Sequence, residues 1–140
     1  MSIIVTDDGF VQEIDQVAPI SLEELQVSDT AGHAIDLEND ADLTVLAGFL
    51  DQISLIRVAF PSFADGRGFS IAKRLRLMGY RGALRAQGHL LSDQYPLARR
   101  SGFDAVEISD DLAARQPEAH WLIHSNWQGK DYQSRLRQAS

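Results

Sequence analysis

LIRVAFPSFADGRGFSIAKRLRLMGY, residues 55–80, holds one complete strand–loop–helix unit. Leu55–Phe60 is rich in β-formers and is stopped by Pro61, which restricts the residue before it and cannot donate to a ladder. A glycine-containing loop follows, Ser62-Phe63-Ala64-Asp65-Gly66-Arg67-Gly68. Ile71, Ala72, Leu75 and Met78 then recur at helical spacing, with Lys73, Arg74 and Arg76 largely off their stripe, which predicts a helix from Phe69 to Met78. Gly79 suits the left-handed residue that ends a helix, and Tyr80 the apolar contact that accompanies it.

Working outward, the same punctuation returns. Ala83–Gln87 reads as a strand, Ser92 as a cap, Asp93–Ser101 as a helix with Pro96 near its first turn, and Gly102-Phe103 repeats Gly79-Tyr80 before a strand at Asp104–Ile108. Upstream, His33–Leu37 reads as a strand. Asn39 or Asp40 can cap a helix whose face carries Leu43, Leu46, Ala47, Leu50 and Ile53. The order over about 33–108 is β-α-β-α-β-α-β, which implies an α/β fold. Repeated βα units surround a small parallel sheet with right-handed crossovers, half-barrel-like or open. At 140 residues the chain is one domain. Residues 1–31 read as an irregular acidic segment, with short strands at Ile3–Val5 and Phe10–Ile14 around Asp7-Asp8-Gly9 and a surface pair at Glu23-Glu24. Beyond the core, Asp110 or Asp111 starts a short helix broken before Pro117, and Ser134–Ala139 reads as a terminal helix or a tail.

The net charge of −7 is unevenly spread. Residues 1–56 hold 12 acids and no Lys or Arg; residues 57–100 hold 9 bases against Asp65 and Asp93 alone. An anion-facing middle behind an acidic front is implied. A pI near 4.9 argues against general nucleic-acid binding. Without cysteine the chain has no disulfide, thiolate nucleophile or Cys-ligated cluster, in keeping with a reducing cytoplasm. The first residues lack the basic and apolar regions of a signal peptide. The longest uncharged apolar stretch, Leu43 to Leu50, is far short of the roughly 20 residues that span a bilayer.

Ligands of parallel α/β sheets bind beyond the carboxyl ends of the strands. Three such ends carry polar residues: Asp65, Arg67 and Ser70; Gly88, His89, Asp93 and Gln94; and Ser109, Asp110 and Asp111. Adjacent strands would bring them to one rim. In the first loop, Gly66 and Gly68 allow a ligand close to the backbone, the helix start favours an anion, and Arg67 offers a planar fork. The alternative is a loop closed on itself by an Asp65–Arg67 or Asp65–backbone contact, with Ser70 as cap. In the next strand Arg85, Gln87 and His89 alternate with Leu84 and Ala86. With Arg57 and Glu107 on the flanking strands, these charges either form a network or lie on a solvated sheet face. His120 and His124 are four apart but have no third ligand, so no metal is expected. Trp121 and Trp127 are expected to pack on the core or a partner surface. The bases at 73–76 read as a solvated face or as a docking surface for an acidic partner.

Phe60-Pro61-Ser62-Phe63-Ala64-Asp65-Gly66-Arg67-Gly68-Phe69-Ser70, with Arg74-Leu75-Arg76, Leu84-Arg85-Ala86, Gly88, Asp93-Gln94, Arg100 and Gly102-Phe103-Asp104-Ala105, resembles a bacterial family of unknown function. Its members carry the label of an oxidoreductase involved in sulfite reduction. The resemblance spans about 33–108, with Tyr132-Gln133 echoing the family's C-terminal end. Ala64, Phe69 and His89 stand where that family has Thr, Tyr and often Asp. The label implies a pathway, assimilatory sulfite reduction. The first reading is an accessory protein that binds a sulfur-metabolite oxyanion or a partner such as sulfite reductase. The second is a small enzyme on an anionic substrate, with Asp65, His89 or Asp93 as acid–base groups and Arg67 and Arg85 as clamps. The third is a structural module that forms a homodimer, since four such strands make half of an eight-stranded barrel. The residues at issue are Asp65, Gly66, Arg67, Gly68, Ser70, Arg85, Gln87, His89, Asp93 and Gln94.

Overall fold

The computed structural model describes residues 2–11, 19–20, 24 and 32–128. Among them the apolar runs form seven strands: β1 Ser2–Thr6, β2 Gly9–Val11, β3 Pro19–Ile20, β4 His33–Leu37, β5 Ile53–Phe60, β6 Ala83–Gly88 and β7 Ala105–Ser109. They build one open sheet in the order β2-β1-β7-β6-β5-β4-β3. β3 to β7 are parallel, each beside its successor, while β1 runs antiparallel to β7 and turns at Asp7-Asp8 into β2. Four α-helices accompany them among the described residues: α1 Arg67–Leu77, α2 Tyr95–Ser101, α3 Asp110–Arg115 and α4 Glu118–Ile123. No helix among these residues is long and apolar enough to cross a membrane.

Right-handed crossovers that always step to the same neighbour put their helices on one face of the sheet. α1 accordingly packs on β5 and on α2, and both α2 and α3 contact β7. The register aligns Leu37, Val58, Ala86, Val106 and Val5 in one row, and Ile35, Ile56 and Leu84 in another. These side chains are buried with Ile71, Ala72, Leu75 and Ala98 of the helices in one core. Because strand side chains alternate, the intervening rows fall on the opposite face: Asp36, Arg57 and Arg85, then Gln87 and Glu107.

The repeated glycine–aromatic pairs end α1 and α2 as their chemistry implies. Gly79 and Gly102 have φ of +99° and +121°. The Tyr80 amide donates to the Leu75 carbonyl (3.0 Å), and the Phe103 amide to that of Ala98 (3.1 Å). Both are the six-to-one bond of a Schellman ending. Arg76 joins the two ends. It donates from Nε and Nη2 to the Gly102 carbonyl (3.0 and 2.8 Å) and from Nη1 to the Gly82 carbonyl (2.9 Å). Arg76 therefore turns inward, while Lys73 and Arg74 remain exposed. Phe103 and Phe69 both meet the Phe60 ring edge-on, with centroids 5.8 and 5.0 Å apart.

The hairpin is fastened to α2 through Asp7. Its carboxylate accepts from Tyr95 Oη, from Arg99 Nη2 (3.0 Å) and from Trp127 Nε1 (3.3 Å). Burial pushes the Asp7 pKa upward, but the bonds from Arg99, Tyr95 and Trp127 outweigh it and hold the group below the ordinary carboxylate value. Trp121 is buried, edge-on to Tyr95 at 6.2 Å. Both tryptophans thus pack inward, as expected.

Several local readings need correction. Residues 43–53 do not form an α-helix: two short 3-10 turns, Leu43–Leu46 and Leu50–Gln52, carry the first crossover. Leu43 and Leu46 are fully buried and Phe49 packs beside them, a spacing of three that a 3-10 turn satisfies as well as an α-helix does. The cap is Asp42, whose Oδ1 accepts from the Thr44 amide (3.0 Å), rather than Asn39 or Asp40. α1 begins at Arg67 behind Gly66, so Ser70 lies exposed in the first turn and is not the cap. Ser92 opens a 3-10 turn, Ser92–Gln94, and the residue flanking α2 is Gln94. α3, by contrast, starts at Asp110 and ends before Pro117 as expected, with Ser109 as its cap. Residues 12–14, Glu23, Tyr132-Gln133 and Ser134–Ala139 lie outside the described residues.

Candidate functional site

β5, β6 and β7 are adjacent, so the loops leaving their carboxyl ends do share one rim. A cleft of about 300 Å³ opens there, lined by Phe63, Gly88, His89, Ser109, Asp111, Leu112 and Arg115. Gly88 permits the turn out of β6. Its φ is +119°, and a Cβ there would lie 2.6 Å from the Phe60 carbonyl oxygen. The next amide, His89 N, donates to that oxygen (2.9 Å), and His89 Nδ1 lies 3.2 Å from it. The imidazole meets the Phe63 ring edge-on, centroids 5.2 Å apart. Gln94 braces this wall: its Nε2 donates to the Phe63 carbonyl (3.3 Å) and its Oε1 accepts from the Leu91 amide (2.8 Å). On the far wall Ser109 Oγ accepts from the Leu112 amide (3.1 Å) and so caps α3, which carries Asp111 and Arg115. Among the described residues neither Asp111 nor Arg115 has an ion-pair partner, and both are exposed.

The glycine loop after β5 is arranged differently. Arg67 Nε and Nη2 donate to the Asp65 carboxylate (3.0 and 2.8 Å), and so does the Arg67 amide (3.2 Å). Asn39 Nδ2, buried after β4, adds a fourth donor at 2.7 Å. Hydrogen bonds from Arg67 hold the Asp65 carboxyl far below the usual carboxylate range. The fork and the first amide at the helix start thus face an internal carboxylate. Gly68 is fixed by packing, since a Cβ there would lie 2.5 Å from the Phe60 ring; at Gly66 the nearest atom would be 3.6 Å away. Asp93 is exposed on its own 3-10 turn.

On the face opposite the apolar core the charges form a network, the first of the two alternatives that the sequence left open. Arg57 clasps Asp36 through Nε (2.6 Å) and Nη2 (2.8 Å), and its Nη1 lies 3.3 Å from Glu107. Arg85 Nη1 and Gln87 Nε2 donate to the same Glu107 carboxylate (3.0 and 2.9 Å). Glu107 is 4% exposed. Burial disfavours the charge on Arg57, but Asp36 and Glu107 more than restore it and raise its pKa. Gln87 immediately precedes Gly88, and Glu107 stands two residues before Ser109, so the network abuts the cleft along both strands.

Of the residues the sequence places at the strand ends, Gly88, His89, Ser109 and Asp111 line the cleft, with Gln94 as a brace. Arg67 and Arg85 are not brought together: each binds a carboxylate of its own. Arg115 and Phe63 escaped notice as site residues. Arg115 could have been found by continuing α3 one turn past Asp111, since residues four apart share a helix face.

No curated protein and no solved structure matches the chain. A family model described as a bacterial protein of unknown function (DUF934) matches residues 34–140, which takes in β4 to β7, the helices and every residue of the cleft, and the chain belongs to that family.

Proposed function

We propose that the protein is a cytoplasmic accessory component of assimilatory sulfite reduction that binds a sulfur oxyanion in the cleft at the carboxyl edge of β5–β7. The observation that carries this reading is Arg115. It is a guanidinium without an ion-pair partner among the described residues, in a cleft shared with His89 and the turn at Gly88. A planar, permanently charged fork suits an oxyanion, and the carboxyl edge of a parallel sheet is where ligands of such folds bind. The link to sulfite rests on the family resemblance, and sulfite reductase is the partner it suggests.

Thermal unfolding in sulfite, sulfate and phosphate tests the reading. A ligand at a hundred times its Kd stabilises the native state by about 2.7 kcal/mol. A rise in Tm with sulfite, abolished in Arg115→Ala, is expected. Unchanged Tm in all three anions would overturn it.

A further inference from the structure

We infer that the ligand of the rim cleft is an organic oxyanion, a sulfonate, sulfate or phosphate group carried on a compact and partly apolar body, rather than a free inorganic ion. The inference rests on the reading of this cleft as an anion site and adds the class of ligand.

Size is the first argument. The cleft measures about 300 Å³. A small tetrahedral or pyramidal oxyanion displaces roughly two waters, about 60 Å³. Small-molecule sites begin at around 300 Å³. A bare ion would leave most of the space to water, whereas an ion with a carbon body fills it.

Composition is the second. Arg115, His89 and Ser109 offer polar groups, while Phe63 and Leu112 offer apolar surface. Phe63 is 37% exposed, so its ring has area left to cover. It is not a loose loop tip: Gln94 holds its carbonyl and the His89 imidazole stands edge-on to its ring. A ring positioned in this way at a cleft wall is an apolar platform.

Charge is the third. Asp111 shares the cleft with Arg115 and has no ion-pair partner among the described residues. A doubly charged inorganic ion in this cleft would share it with that carboxylate. An ester or sulfonate presents its anionic end to Arg115 and a neutral body to Asp111.

Isothermal titration with inorganic sulfate, methanesulfonate and benzenesulfonate separates this inference from the reading beneath it. Benzenesulfonate is expected to bind at least tenfold more tightly than sulfate or methanesulfonate. Phe63→Ala should erase that gain, Phe63→Leu should keep part of it, and Arg115→Ala should weaken all three. Equal binding of the three anions, unaffected by Phe63→Ala, would overturn the inference and leave the oxyanion site standing. No binding of any of them would overturn both.

Discussion

The Arg57 guanidinium reaches past β6 to the Glu107 carboxylate of β7, 3.3 Å away, while its other edge clasps Asp36 of β4. One side chain thereby links strands on both sides of β6 across the face opposite the apolar core. Glu107 also accepts from Arg85 and Gln87. Removing one partner of a buried ion cluster leaves the others desolvated, so Glu107→Ala should destabilise the fold by about 3–5 kcal/mol in urea unfolding. A loss under about 1 kcal/mol would mean that water already solvates the cluster.

The glycines of the loop before α1 should separate packing from flexibility. A Cβ at Gly68 would sit 2.5 Å from the Phe60 ring, whereas one at Gly66 would meet only Phe69 at 3.6 Å. Overpacking a well-filled core costs about 1–3 kcal/mol. Gly68→Ala should therefore lower the urea midpoint by that amount, and Gly66→Ala should leave it nearly unchanged. Equal effects would contradict the placement of Gly68 against Phe60.

Two arginines near the carboxyl edge should differ as anion ligands. Arg67 is paired with Asp65, while Arg115 has no ion-pair partner among the described residues. A hydrogen bond to a charged group contributes about 1.5–3 kcal/mol, or roughly ten- to a hundredfold in affinity. Arg115→Ala should weaken sulfite binding by at least tenfold in calorimetry, and Arg67→Ala by less than twofold. The reverse ranking would move the anion site to the glycine loop.

The hairpin clasp should be acid-labile. Asp7 has its pKa depressed by Arg99, Tyr95 and Trp127 against the opposing effect of burial. A carboxylate depressed in the folded state contributes stability that is complete above its unfolded pKa of about 3.9 and is lost as pH falls through the lower folded value. Asp7→Asn should thus be less stable than the parent by about 1–2 kcal/mol at pH 7, allowing for the partial exposure of the pair. That gap should narrow below about pH 4. Urea midpoints from pH 7 to 2.5 provide the check, and a gap that stays constant across this range would contradict the role of Asp7.

The parts of the fold that were legible in the sequence are those where local chemistry and global packing agree. Gly79-Tyr80 and Gly102-Phe103 specify helix endings on their own, and β4 was readable to the residue as the short, largely apolar run His33–Leu37. The segment 43–53 misled because Leu43 and Leu46 satisfy 3-10 and α spacing alike, and only tertiary context selects between them. The charged network was foreseeable from Arg57, Arg85 and Glu107 inside apolar strands; Asp36 and Gln87 joined it only once the register was known. The cleft was legible as a place and, through Gly88, His89, Ser109 and Asp111, in part as residues, but Phe63, Leu112 and Arg115 were not. Arg115 reaches it from the last turn of α3, whose start Ser109 caps.

An oxyanion is expected to bind between the loops after β5, β6 and β7, and titration of ¹⁵N-labelled protein with sulfite, followed by amide chemical shifts, locates it. Saturable shifts confined to Phe63, Gly88, His89 and residues 109–115, and absent in Arg115→Ala, are the result expected. Shifts centred instead on Gly66–Gly68, or none at millimolar sulfite, would contradict it.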